Sequence, residues 1–124
     1  MTTKSIIFLS VLLMSAQVSA VEIAKSEWMD RMTTGLPAYF CQSDQYFRQC
    51  FEVSAEQCEE AMSSATRLCL AKYSGEIPEV LVQPDAGTSW GSVVGRCVGE
   101  TYDVTNAQKR KTNAVCMDPS HWTK

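Results

Sequence analysis

The positions of its six cysteines restrict what this chain can fold into more than any other feature of its sequence. None lies in residues 1–20, which have the parts of a secretory signal: a basic start at Lys4, a largely apolar run over residues 6–14, and small residues up to Ala20. An even number of cysteines in an exported chain predicts that all of them form disulfide bonds. We therefore predict cleavage after Ala20 and a secreted or periplasmic mature chain, residues 21–124. The six are Cys41, Cys50, Cys58, Cys69, Cys97 and Cys116.

The mature chain is expected to be a single disulfide-rich domain without a stable membrane anchor. Residues 6–14 of the leader are too few to span a bilayer, because nine helical residues rise about 14 Å and a bilayer core needs about 20 residues. Without residues 1–20 the chain keeps 10 Lys+Arg and 14 Asp+Glu, a net charge of −4. This acidic balance argues against nucleic-acid binding, which usually needs a basic surface.

Two helices are predicted in the first half of the mature chain. An apolar stripe that includes Trp28 indicates a helix over 23–34, and Gly35 suits its end. Pro37 suits the first position of a second helix over 37–51. The aromatic face of that second helix would consist of Phe40, Phe47 and Phe51.

Two further helices follow, over 55–72 and 89–104. Ser54 and Gln57 have the spacing of a capping box and predict the start of the first of them. With 37–51 this helix would form an antiparallel hairpin. The sequence thus predicts an all-α fold, a small disulfide-stapled bundle of about four helices around that hairpin. The buried stripe of 55–72 is predicted to contain Cys58, Met62, Ala65, Leu68 and Cys69.

Three glycines, Gly91, Gly95 and Gly99, recur every four residues inside the helix predicted over 89–104. Each costs about 1 kcal/mol of helix stability relative to alanine, so close packing on this face is expected to compensate. One interpretation is packing against residues 37–72 of the same chain. The other is a partner surface or a homodimer seam, by analogy with small-residue helix contacts in membranes.

The hairpin geometry predicts how the cysteines pair. In an antiparallel hairpin, residues at equal distances from the turn face each other, and the turn is expected near Ser54. Fifteen pairings of six cysteines exist, and this geometry selects one of them. The predicted pairs are Cys50–Cys58, Cys41–Cys69 and Cys97–Cys116.

The sequence contains no recognisable catalytic or cofactor motif. Its one histidine, His121, lies close to the C-terminus, and neither G-x-S-x-G nor C-x-x-C is present. A zinc site would need more histidines or a cysteine cluster. We therefore predict no catalytic residues, no metal and no cofactor.

The segment Pro84–Val94 has the sequence PDAGTSWGSVV, in which proline, glycine and threonine precede Gly91-Ser92-Val93-Val94, and it is similar to a family motif in which a proline-glycine-threonine turn leads into a G-x-x-V-V helix. Together with a small, exported, cysteine-linked helical chain, this resembles the periplasmic immunity proteins that neutralise type VI secretion effectors. The resemblance implies a stoichiometric protein inhibitor in the cell envelope.

The leading hypothesis is therefore an exported, non-enzymatic binding protein of inhibitor or immunity type, with a protein partner. A carrier of a small apolar ligand or lipid is the alternative, and a small hydrolase that uses carboxylates or His121 is a third hypothesis. The carrier cavity would be lined by Phe47, Phe51, Met62 and Leu68. The candidate interaction residues are Arg48, Arg67, Arg96, Trp122, Gly91, Gly95 and Gly99.

Overall fold

The computed structural model describes residues 21–122, so the predicted signal peptide lies outside the described residues. Three long helices and a short two-stranded sheet form most of this part of the chain. The elements are β1 (Val21–Ala24), α1 (Lys25–Phe40), α2 (Tyr46–Gln49), α3 (Ala55–Tyr73), β2 (Val80–Gln83), α4 (Asp85–Thr105), a 3-10 turn (Ala107–Lys109) and α5 (Pro119–Trp122).

The helices α1, α3 and α4 pack side by side, each antiparallel to the next. The Lys25 ammonium at the start of α1 donates a hydrogen bond to the Ser74 carbonyl just after α3. On the other side of α3, the rings of Tyr73 and Trp90 lie 6.3 Å apart, so the end of α3 meets the beginning of α4. Within residues 21–122, no helix is both long and apolar enough to cross a membrane.

The core lies between these three helices and the sheet. The side chains of Trp28, Met62, Leu81 and Val98 are 3% exposed or less. Leu68 was predicted to join the buried stripe of α3, but it is 63% exposed. Helix α3 is covered on two sides by α1 and α4, and Leu68 lies on the side that remains open.

The start of α3 follows the local sequence signal. The Ser54 hydroxyl accepts a hydrogen bond from the Gln57 amide at 3.1 Å, and the Gln57 side chain accepts one from the Ser54 amide at 3.0 Å. The predicted capping box is thus confirmed. It satisfies two amides that the first turn of a helix otherwise leaves without partners.

The fold is mostly helical and disulfide-stapled, but the all-α prediction was wrong in one respect. β1 pairs antiparallel with β2, with Ile23 opposite Leu81. These two side chains point into the core, and their burial fixes the register of the pair. Such short strands carry little periodic signal, so the sequence predicted no sheet.

The predicted hairpin of 37–51 with 55–72 was also wrong. Helix α1 continues through Gly35 and Pro37 to Phe40, and the short α2 is a separate element. Gly35 does not adopt the positive φ that commonly ends a helix. Pro37 lies in the last turn of α1, where it removes one backbone hydrogen bond and the packing of α1 on α3 compensates. The partner of α3 in the hairpin is therefore α1.

All six cysteines form disulfides, as predicted, but all three predicted pairs were wrong. Because α1 ends at Phe40, Cys41 faces the first turn of the antiparallel α3 and bonds to Cys58 there. The later part of α3 faces α4, which joins Cys69 to Cys97. Cys50 then follows α2, outside the hairpin, and the C-terminal tail supplies its partner. The observed pairs are Cys41–Cys58, Cys69–Cys97 and Cys50–Cys116.

Candidate functional site

A pocket of about 410 Å³ opens between the end of α1, the short α2, the middle of α4 and the C-terminal tail. We call it the aromatic pocket, because four of its side chains are aromatic. Its lining residues are Phe40, Tyr46, Phe47, Gly95, Arg96, Gly99, Glu100, Asp103, Cys116, Pro119 and Trp122.

Two glycines form the α4 side of the aromatic pocket. A Cβ atom at Gly95 would lie 3.8 Å from Phe40 Cζ, and one at Gly99 would lie 3.2 Å from Phe47 Cζ. Their missing side chains let the two phenylalanine rings approach the helix. At Gly91, one turn earlier, a Cβ would have no neighbour within 4 Å. Two of the three glycines, Gly95 and Gly99, therefore pack against side chains of the same chain.

The C-terminal tail forms the opposite side of the pocket. The disulfide Cys50–Cys116 attaches it beside α2. The indole nitrogen of Trp122 donates to the Val115 carbonyl at 3.0 Å, and the Trp122 ring lies 5.4 Å from the Tyr46 ring. The disulfide and these contacts hold the indole at the mouth of the pocket.

A buried tyrosine supports the pocket from beneath. Tyr102 is fully buried on α4, and its hydroxyl donates to the Phe47 carbonyl at 3.2 Å. Its ring lies 5.0 Å from the Phe47 ring and 5.0 Å from the Phe51 ring, in edge-to-face contacts. Burial raises the pKa of Tyr102 to about 12. This anchor fixes Phe47 and with it the short helix α2.

One acidic residue of the pocket is already paired. An Asp103 carboxylate oxygen lies 3.3 Å from the Arg110 guanidinium and accepts a hydrogen bond from the Tyr46 hydroxyl at 3.3 Å. Burial, followed by the negative charge of Asp103, raises the pKa of Tyr46. Asp103 therefore serves the architecture of the pocket.

Two other charged residues stand at the rim and have no partner within the part of the chain that the structure describes. Arg96 and Glu100 are exposed and lie four residues apart on α4. Among residues 21–122, neither makes an ion pair or a side-chain hydrogen bond. The two also border a smaller hollow beside Tyr73 and Cys97. From the described residues, the rim thus presents one free positive and one free negative group to a ligand.

A family model supplies the relationship of this chain to known proteins. The model described as "T2SS substrate NttA" matches residues 22–110, which is most of the chain. The chain belongs to the NttA family. No curated protein and no solved structure matches it.

Membership of the NttA family confirms that this is an exported protein, because the family consists of substrates of the type II secretion system. Three disulfides agree with a secreted or periplasmic location. The NttA family is a family of secreted proteins. The match therefore does not show the predicted resemblance to type VI immunity proteins. The match includes Gly95, Gly99 and both phenylalanines of the pocket. It ends before Cys116 and Trp122, which form the opposite wall.

The candidate interaction residues of this NttA-family chain separate into two groups. Arg96, Trp122, Gly95 and Gly99 come together at the aromatic pocket. The others, Arg48, Arg67 and Gly91, lie outside it. Arg48 is half-buried and donates to the Cys41 carbonyl at 3.0 Å, which indicates a structural role. Arg67 is exposed on α3, where it donates to the Ser64 hydroxyl at 3.4 Å.

The cavity predicted for a carrier differs from the pocket observed. Of its four predicted lining residues only Phe47 lines the pocket. Phe51 and Met62 are 1% exposed or less and fill the core, whereas Leu68 points away from it. Sequence reasoning missed Glu100 and Asp103. Their signal was present, because Asp103 continues the four-residue spacing of Gly95 and Gly99, and Glu100 lies four residues after Arg96.

His121 lies outside the aromatic pocket. It lines a neighbouring polar hollow of about 490 Å³ with Tyr39, Asp44 and Gln49, and Trp122 separates the two spaces. Over residues 21–122, no group of three His, Cys, Asp or Glu side chains is placed to hold a metal ion. The absence of a metal and a cofactor remains a prediction.

Proposed function

We propose that this chain is an exported, non-enzymatic binding protein that takes a small aromatic or apolar ligand in the aromatic pocket. One observation carries the proposal: α2, α4 and the disulfide-anchored tail enclose a space of about 410 Å³ that four aromatic side chains line. The space is a concave pocket at the surface, which is the form that small-molecule sites commonly take.

The size and lining of the pocket support a small ligand. Its volume of about 410 Å³ falls within the range of about 300–1,000 Å³ typical of small-molecule sites. Such sites are mainly apolar with a few polar groups that orient the ligand. Here Phe40, Phe47, Tyr46 and Trp122 supply the apolar walls, and the charged groups stand at the rim.

A binding role needs no catalytic group in the pocket, and the arrangement of its polar residues agrees with this. Of the two carboxylates that line the pocket, Asp103 is occupied by Arg110 and Tyr46, which leaves Glu100 without the second free carboxylate that glycoside hydrolysis uses. All six cysteines are in disulfides, so none offers a thiolate nucleophile. These observations favour binding over the hydrolase hypothesis.

A protein partner is the second candidate, in the form of the inhibitor or immunity-type module implied by the sequence resemblance. The observation that favours it is the meeting of Trp122 and Arg96 at one rim, because tryptophan and arginine dominate binding hot spots. An aromatic side chain of the partner would then occupy the pocket. A homodimer through the glycine face also stays a prediction, and it would have to use Gly91, the open position.

The test uses the oxidised mature chain, residues 21–124, labelled with 15N, and indole as the probe. We expect saturable chemical-shift changes at the Gly95 and Gly99 amides and at the Trp122 indole N–H. Trp122→Ala should weaken the binding, whereas Leu68→Ala, an exposed change on α3, should leave it unchanged. Absence of saturable changes at the pocket would contradict the proposal.

A pull-down distinguishes the two candidates. The tagged mature chain is incubated with envelope and culture-medium fractions of its native host and washed at high salt, which removes weak surface electrostatics. A stoichiometric protein retained by the unaltered chain, and lost with Trp122→Ala, would support the protein partner. Retention that is independent of Trp122 would show that such a partner uses another surface.

A further inference from the structure

We infer that the aromatic pocket receives an aromatic amino acid in its zwitterionic form. This inference rests on the proposed function, because it names the ligand of the same site. It combines two features that the fold brings together: a body of aromatic rings, and two opposite charges at its rim that make no ion pair within residues 21–122.

The charges at the rim call for a ligand with both signs. Arg96 and Glu100 lie one helical turn apart and have no charged partner among residues 21–122. A purely anionic ligand would pair with Arg96 but be repelled by Glu100, and a purely cationic ligand would meet the reverse. A compact zwitterion satisfies both residues at once. Its carboxylate would face the guanidinium, and its ammonium would face the Glu100 carboxylate.

The third charge in the pocket does not disturb this balance. Asp103 is neutralised by Arg110 at 3.3 Å and is also hydrogen-bonded by Tyr46. Among residues 21–122, the free charges of the rim therefore sum to zero, as do the charges of an amino acid at neutral pH. The rim and the amino acid thus each carry one positive and one negative group.

The interior of the pocket favours an aromatic side chain over a flexible aliphatic one. Its rings already meet at angles between the planes: Phe40 and Phe47 lie 5.2 Å apart, and so do Tyr46 and Phe47. Edge-to-face contacts stabilise a bound ring beyond the burial of its area. A planar ring entering beneath Trp122 can extend this pattern with little loss of rotamer freedom.

Four related compounds test the inference by NMR titration of the oxidised mature chain. L-Tryptophan carries both charges, tryptamine lacks the carboxylate, indole-3-propionate lacks the ammonium, and indole lacks both. We expect L-tryptophan to bind most tightly. Removal of either charged group should raise Kd by about threefold to fivefold, the effect of one exposed ion pair.

Two variants connect each charge to its partner. Arg96→Gln should abolish the advantage of L-tryptophan over tryptamine, and Glu100→Gln should abolish its advantage over indole-3-propionate. Matched controls on α3, Arg67→Gln and Glu60→Gln, should leave all four Kd values unchanged. All four positions are exposed, so folding is preserved, and circular dichroism checks this.

The outcomes separate this inference from the proposed function. Equal Kd values for L-tryptophan and indole would overturn the zwitterion and leave the aromatic pocket as a binding site. A preference for tryptamine or for indole-3-propionate over L-tryptophan would also overturn it, in favour of a ligand with a single charge. If none of the four compounds shifts the pocket resonances, both this inference and the small-ligand function are contradicted.

Discussion

Alanine replacements along the glycine face of α4 separate helix preference from packing. In a helix interior, alanine is more stable than glycine by about 1 kcal/mol. Gly91→Ala should show this whole gain, because its Cβ meets nothing within 4 Å. Gly95→Ala should keep most of it, since its Cβ would lie at an ordinary contact distance of 3.8 Å from Phe40 Cζ.

Gly99→Ala should behave differently, because its Cβ would lie only 3.2 Å from Phe47 Cζ. The Phe47 ring cannot easily withdraw, since the Tyr102 ring lies 5.0 Å away on one side and the Tyr46 ring 5.2 Å away on another. Overpacking of this kind costs about 1–3 kcal/mol. After subtraction of the helix gain, we expect Gly99→Ala to lie between neutral and about 2 kcal/mol destabilising.

Urea unfolding of the oxidised chain, followed by tryptophan fluorescence, measures the free energy of unfolding of all three variants. The unfolded-state effect of glycine to alanine is common to the series, so the differences report the folded state. A gain at Gly99 equal to that at Gly91 would refute the packing argument. It would show that Phe47 moves freely and that the floor of the pocket is not close-packed.

Three further predictions concern the cap, the buried tyrosine and the tail. Ser54→Ala should lower the free energy of unfolding in urea by about 1 kcal/mol, and Gln57→Ala by less; no loss in either would contradict the capping role. Burial raises the pKa of Tyr102 to about 12, so this tyrosine should ionise last when a titration is followed by absorbance at 295 nm. Its contribution to stability is fully present below about pH 10 and should be lost as the pH rises towards 12. Tyr102→Phe should remove that alkaline loss, and an unchanged pH profile would refute it. The double variant Cys50→Ser/Cys116→Ser, which opens a disulfide of sequence separation 66, should lower the melting temperature by removing up to about 4 kcal/mol; an unchanged melting temperature would contradict the constraint.

The candidate site was predictable only in part. Arg96, Trp122, Gly95 and Gly99 were singled out by residue type and spacing, and they meet at one pocket. Nothing in the sequence distinguished them from Arg48, whose guanidinium donates a hydrogen bond to the Cys41 carbonyl of the same chain. Residue type indicates what a side chain can do, whereas its neighbours depend on how the helices pack.

Features that depend only on neighbours along the chain could be predicted from the amino-acid sequence. The capping box at Ser54 set the start of α3, the predicted helix over 89–104 lies within α4, and the leader with an even number of cysteines indicated an exported, disulfide-bonded protein. The tertiary structure decided which helix pairs with α3. Tertiary packing carries α1 past Gly35 and Pro37, because burial of its apolar face compensates for one lost backbone hydrogen bond. Because α1 extends to Phe40, every cysteine has a partner different from the predicted one. Cys50 forms its disulfide with Cys116 of the tail, and the tail closes the aromatic pocket.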